Sequence, residues 1–336
     1  MTRNKRLAAD ITIFFVFFAL AALSIIFGSD FVRLTDNRLE ITYTLISQIV
    51  CMGILPVALF GLLYKKDGSI PRKKSEAGDF LSSFIMGVKE SGFAEHISLN
   101  KPKKQAVSKV FLIALFMLFI NLAVAGINYI LIQLFGFKPS NGGGTLYPNA
   151  GRLILDLFLV AALPAVFEEL TFRGILLGAY KDNPKTGVLL SAFLFALMHM
   201  NIQQFLYAFV GGIVMGYVVI KTRSIVSSMI IHFCINAFST IRAYGYQYPD
   251  SIANLLNDLL GAMSFALYAA AAVMAYFMVK TIKNLGEPSL ADTTADIGAA
   301  IKKRGTIPLK NYAFLAGAVV FGALTTIFSF VWGTLR

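Results

Sequence analysis

Nine apolar runs follow one another along the chain, at residues 11–28, 41–64, 109–136, 152–180, 186–202, 204–220, 225–243, 258–280 and 311–334. Most match or exceed the roughly 20 residues that a helix needs to cross about 30 Å of hydrocarbon. The pattern predicts an all-α polytopic membrane protein with about eight or nine transmembrane helices. The runs at 186–202 and 204–220 are the shortest and barely reach the required length. The first run follows MTRNKR, which has the charge of a signal-peptide n-region. No small-x-small cleavage site follows it, so it reads as a retained signal-anchor helix.

Composition agrees with this pattern. The chain is 57% hydrophobic and 14% charged, against about 25% charged in soluble domains. Its mean hydropathy is +0.70. The net charge of +12 would fit nucleic acid, but the placement of the cations excludes that partner. With the N-terminus inside, the cytoplasmic segments hold 23 of the 30 Lys and Arg, and the opposite side holds six. That is the positive-inside asymmetry, and its expected partner is anionic lipid at the cytoplasmic face. Cys51 and Cys234 lie inside apolar runs and read as small core residues.

Three regions result. Residues 1–150 hold N-terminal helices and a basic cytoplasmic loop at 65–109. Residues 151–243 hold a helical core, and residues 244–336 hold C-terminal helices with a cytoplasmic loop at 282–308. Neither loop is apolar enough to build its own core. NGGGTLYPN at 141–149 reads as an external loop, because no strand precedes its glycines. His96, in the 65–109 loop, reads as an ordinary surface histidine. No internal repeat is visible.

The core region carries the polar residues that an apolar bundle must justify. AVFEELTFRG places Glu168, Glu169 and Arg173 inside a span, FLFALMHM places His199, and IIHFCINAF places His232 and Asn236. Each intramembrane charge costs roughly 2.5–3.5 kcal/mol on insertion scales. Such a set reads by default as a functional site facing the bundle interior, with a helix-orienting ion-pair network as the rival. Glu169 and Arg173 are i and i+4 in the favourable order, so Arg173 neutralises Glu169. Glu168 lies about 100° around the helix, has no partner in its own segment, and is free to act chemically. Pro164 removes a backbone donor and kinks the helix just before it. At 1.5 Å per residue, Glu168, His199 and Asn236 lie roughly 20 Å from the cytoplasmic cations of their helices, and His232 roughly 14 Å. Groups on three helices can therefore meet.

Glu168-Glu169…Arg173, Phe195…His199 and His232…Asn236 resemble the EExxxR, FxxxH and HxxxN motifs of the CPBP family. That family comprises the CAAX prenyl endopeptidases and the bacteriocin-processing or self-immunity proteases, also called the Abi family. FRG after the glutamates and TRSI before the last histidine match as well, and the resemblance covers about residues 150–240. It implies hydrolysis of a peptide bond in a membrane-bound or lipid-associated peptide or protein, in a bacterial cell membrane. A poorly solvated glutamate is a suitable general base. Glu168 with His199 would deprotonate a water, and His232 with Asn236 would stabilise the oxyanion. Glu169, Arg173 and Phe195 would support them. Cys234, on another face of its helix, offers no comparable nucleophile.

Two His and a Glu also suffice for a catalytic zinc, which would make Glu168, His199 and His232 the ligands. The zincin arrangement is absent, and a zinc-bound carboxylate leaves no separate base, so a metal-free reaction is favoured. Two other classes compete. An ion- or proton-coupled transporter would show paired repeats, and none is present. An inactive scaffold or regulator would have lost a motif residue, and here every position is filled. The substrate stays open among a prenylated C-terminal peptide, a double-glycine leader and a signalling peptide.

Overall fold

The computed structural model describes residues 2–31, 37–63, 96–135, 150–247, 255, 258–259, 264–285 and 313–334. The 141–149 loop, residues 65–95 and residues 286–308 lie outside the described residues. Among the described residues every regular element is helical, without a strand. Among the described residues, nine apolar helical segments form one bundle: α1 (Thr2–Phe31), α2 (Asn37–Leu45, Ile46–Ile54 and Leu55–Leu63 in succession), α3 (Lys104–Leu134), α4 (Ala150–Ala179), α5 (Pro184–Met198), α6 (Ile202–Thr222), α7 (Ile225–Gln247), α8 (Ser264–Lys283) and α9 (Ala313–Thr334).

Among the described residues, seven of these are long and apolar enough to cross a membrane. The two exceptions are α5 and α9. The expected run at 186–202 is thus corrected to the 15-residue α5, about 22 Å long at 1.5 Å per residue. It turns back through His199, Met200 and Asn201 into α6. Met200 makes this turn with φ 49°. A turn among apolar helices must satisfy its own backbone groups. Asn201 caps α6 by accepting from the Gln203 N–H at 2.9 Å. From α3, Asn128 donates to the Ile202 and Gln203 carbonyls at 3.0 and 2.9 Å. α5 and α6 then pack tightly, because a Cβ on Gly212 would stand 2.9 Å from Ala192.

Two spans change register beside a proline. In α2 the π-helical stretch Ile46–Ile54 ends just before Pro56, and in α4 the stretch Leu157–Ala162 ends just before Pro164. Neither proline has an N–H to give to the carbonyl four residues back. A wider i→i+5 turn makes room for the ring, and side chains from neighbouring helices donate instead. Thr171 Oγ donates to the Met52 carbonyl at 2.7 Å, and Asn236 Nδ2 to the Val160 carbonyl at 3.2 Å. The kink expected before Glu168 takes this form. A third π stretch, Leu170–Leu176, follows the glutamates.

His96 is corrected from surface to buried, 5% exposed. Its ring packs on Phe60 and donates to the Ile175 carbonyl at 3.3 Å. Burial pushes its imidazole down to about 4, with the Lys181 and Lys5 charges adding to the shift. Next to it, Ile97 sits over Gly174, where a Cβ would be only 3.1 Å away. The Ser98 carbonyl accepts from the Ile225 N–H at 3.1 Å. This short segment ties the end of α4 to the start of α7.

Candidate active site

The centre of the site is the α-helical stretch Leu163–Glu169, between two π-helical stretches of α4. Glu169 is fully buried and Arg173 is 1% exposed. Arg173 Nη1 donates to Glu169 Oε1 at 2.8 Å, the i, i+4 pair that the spacing predicts. The same oxygen accepts from His232 Nδ1 at 3.0 Å. One carboxylate thereby holds the guanidinium of its own helix and the imidazole of α7.

Phe195 joins the three motifs. Its ring lies under the Arg173 guanidinium at 4.2 Å. It meets the rings of His199 and His232 edge-on, at 5.0 and 5.6 Å between centroids. Its carbonyl accepts a hydrogen bond from His199 Nδ1 at 2.8 Å. A carbonyl only accepts, so Nδ1 of His199 carries hydrogen and the neutral ring presents a lone pair at Nε2. By the same argument Nδ1 of His232 carries hydrogen towards Glu169. Nε2 of His232 then donates only when the ring holds both protons.

Glu168, 5% exposed, has no partner in its own segment, as the spacing predicts, but a neighbouring helix supplies one. Gln48 of α2 donates from Nε2 to Glu168 Oε1 at 2.9 Å. Its other oxygen, Oε2, is 3.8 Å from His232 Nε2 and makes no hydrogen bond. Sequence reasoning missed Gln48, although a lone glutamine inside ISQIVCMGILP is a signal of the same kind as the histidines. It also missed Asn128, another amide inside an apolar span.

A cavity of about 480 Å³ opens beside this group. Glu168, His199 and Asn236 line it from α4, the α5–α6 turn and α7, together with Pro164, Tyr207 and Arg242. The i, i+4 spacing of His232 and Asn236 predicts that both point into one cavity, but Asn236 alone of the two lines it. His232 is 4% exposed and sits between the two glutamates. Asn236 gives one amide hydrogen to Val160 and keeps a second. Among the described residues no three His, Cys, Asp or Glu side chains come close enough together to hold a metal ion.

Neither a curated protein nor a solved structure shows a significant match to the chain. One family model does match, over residues 150–238, and its description is type II CAAX prenyl endopeptidase Rce1-like. The matched residues include the whole constellation from Glu168 to Asn236, whereas α1 to α3, α8 and α9 lie outside them. Residues 150–238, which hold both glutamates, both intramembrane histidines and the asparagine, are thus similar to the Rce1-like type II CAAX prenyl endopeptidases.

Proposed function

We propose that this integral membrane protein is an intramembrane endopeptidase that hydrolyses a peptide bond with a water activated by Glu168. The observation that carries the reading is that Glu168, His199 and Asn236, from separate parts of the bundle, line one cavity. The water lies between the Glu168 carboxylate and Nε2 of His199, which accepts its hydrogen bond. Glu168 takes one proton as the water oxygen attacks the carbonyl carbon, then gives it to the departing amine. Asn236 donates its remaining amide hydrogen to the oxyanion, and His232 donates from Nε2 when it holds both protons. Glu169 and Arg173 fix the rotation of α4, and Phe195 packs the three motifs together.

The reading routes no step through a metal. Turnover of the purified protein is expected to survive a strong zinc chelator. Loss on chelation and recovery with zinc would overturn this point. The substrate is a membrane-associated peptide or protein, as the matched description suggests. The N-terminus lies in the cytoplasm on the Lys and Arg asymmetry. Lys103, Lys104, Lys181, Lys185 and Lys221 then face anionic lipid on that side.

The oxyanion role of Asn236 is tested by separating binding from turnover. A donor that acts on charge present only in the transition state raises kcat with little effect on KM. Asn236→Ala is expected to bind a substrate peptide as wild type does and to cleave it at least tenfold more slowly. Loss of one such donor typically costs about 10²–10³ in kcat. Asn236→Asp is expected to be no better than Ala at neutral pH. Full activity of Asn236→Asp at pH 8 would contradict the role and make Asn236 an orienting group for His232 or the water.

A further inference from the structure

We propose that Gln48 is the positioning residue of Glu168, holding one carboxylate oxygen so that the other faces the water. The inference deepens the proposed function and rests on that reading for its catalytic meaning. Its geometry stands apart from it.

Gln48 lies outside the matched segment, on the π-helical stretch of α2. Its side chain does not line the cavity, so it reaches Glu168 from behind. A carboxylate offers only acceptors, so the amide must turn its Nε2 to Glu168 Oε1, at 2.9 Å. That hydrogen bond occupies one of the two oxygens and stops the carboxylate from rotating freely. Oε2, buried and without a hydrogen-bond partner, is left as the oxygen that can take a proton from water and return it.

The surroundings make this a fixed contact. α2 docks on the same stretch of α4 at two further points within two turns of Gln48. A Cβ on Gly53 would meet the Phe167 ring at 2.8 Å. Thr171 Oγ is bound to the Met52 carbonyl. Phe167 and Thr171 bracket Glu168 in sequence, so the backbone of α4 is pinned to α2 on both sides of it. The wider turn before Pro56 sets the rotation at which Gln48 reaches across. The remaining charged or titratable groups around Glu168 are Glu169, Arg173, His199 and His232. The first two are bound to each other, His199 Nδ1 donates to the Phe195 carbonyl and His232 Nδ1 to Glu169.

A positioned base differs from a structural amide in what its loss does. Gln48→Met keeps the length and apolar volume of the side chain but removes the donor. Without it the carboxylate swings among orientations, and a hydrogen bond to a charged group is lost. That loss corresponds to about a tenfold to hundredfold decrease in kcat, with KM changed less than about threefold.

The test has two arms on the full-length protein in detergent. In the first, infrared difference spectra of wild type minus Glu168→Gln isolate the carboxylate stretching bands of Glu168. The same difference in the Gln48→Met background is expected to show these bands displaced, because an asymmetric hydrogen bond has gone. In the second, kcat and KM are measured on a quenched fluorescent peptide ending in a prenylated cysteine and a short C-terminal tail. Thr171→Val, which cuts another link between α2 and α4, is the control and should lower thermal stability without displacing the bands. If Gln48→Met does not accumulate, Gln48→Asn replaces it, because its shorter amide cannot span the same distance. Unchanged Glu168 bands overturn the proposal whatever the activity, and the first arm needs no cleavage of the peptide. Displaced bands with equal cleavage by wild type and Glu168→Gln would sink the endopeptidase reading and leave the Gln48–Glu168 contact standing.

Discussion

Glu168→Gln is expected to lower turnover at least about 10²-fold, within the range of 10²–10⁴ for loss of a general acid–base group, with protein abundance near wild type. The replacement is isosteric, and its amide oxygen still accepts from Gln48, which donates to the carboxylate at 2.9 Å. No buried cation loses its partner, because Arg173 is paired with Glu169. What disappears is the unpartnered oxygen Oε2 as a proton acceptor. Abundance and the thermal midpoint in detergent separate this outcome from unfolding. A variant that is both scarce and inactive would show Glu168 to be part of the structural network.

Glu169→Gln is expected to fail differently. Arg173 is 1% exposed and its guanidinium is ion-paired to Glu169 at 2.8 Å. It cannot move away, since Phe195 lies beneath it and the Gly212 backbone stands close by. Removing one partner of a buried pair costs about 3–5 kcal/mol, because the other charge stays buried and unpaired. His232 loses its ionised acceptor at the same time. Abundance and the thermal midpoint should both fall, along with activity. The double variant Glu169→Gln with Arg173→Met removes the stranded charge and is expected to recover stability without recovering activity. Equal abundance of Glu168→Gln and Glu169→Gln would contradict the division of labour between the two carboxylates.

The Glu169–Arg173 pair was legible in the sequence, because i, i+4 spacing fixes which glutamate meets Arg173 whatever the tertiary packing. The convergence of Glu168, His199 and Asn236 was legible too, since similar depth on separate helices requires only the helical rise. What one-dimensional spacing could not supply was register. The π-helical stretches rotate everything beyond them relative to an α-helix, and they decide that Gln48 reaches Glu168. They also accompany the use of Asn236 on the Val160 carbonyl. His232 and Asn236 share a helical face, yet the histidine is drawn down between the glutamates while the asparagine stays on the cavity wall. His96 was misread for a related reason. A charged neighbourhood in sequence marks solvent only if the chain does not fold back, and here Gly174 and Gly178 leave a groove that His96 and Ile97 fill. The hairpin of α5 and α6 looked like two marginal spans because run length does not show the turn, whose entry into α6 is held by Asn128 of α3 on the Ile202 and Gln203 carbonyls.

The central claim, that Glu168 drives peptide-bond hydrolysis in the membrane, is tested most directly without knowing the substrate. Cell-associated and secreted peptides, with their new N-termini, are compared by mass spectrometry between cells with the wild-type protein and cells with Glu168→Gln at matched abundance. The account predicts a set of termini present with the wild-type protein and absent, or at least about 10²-fold depleted, with the variant. Identical termini in the two samples would contradict it.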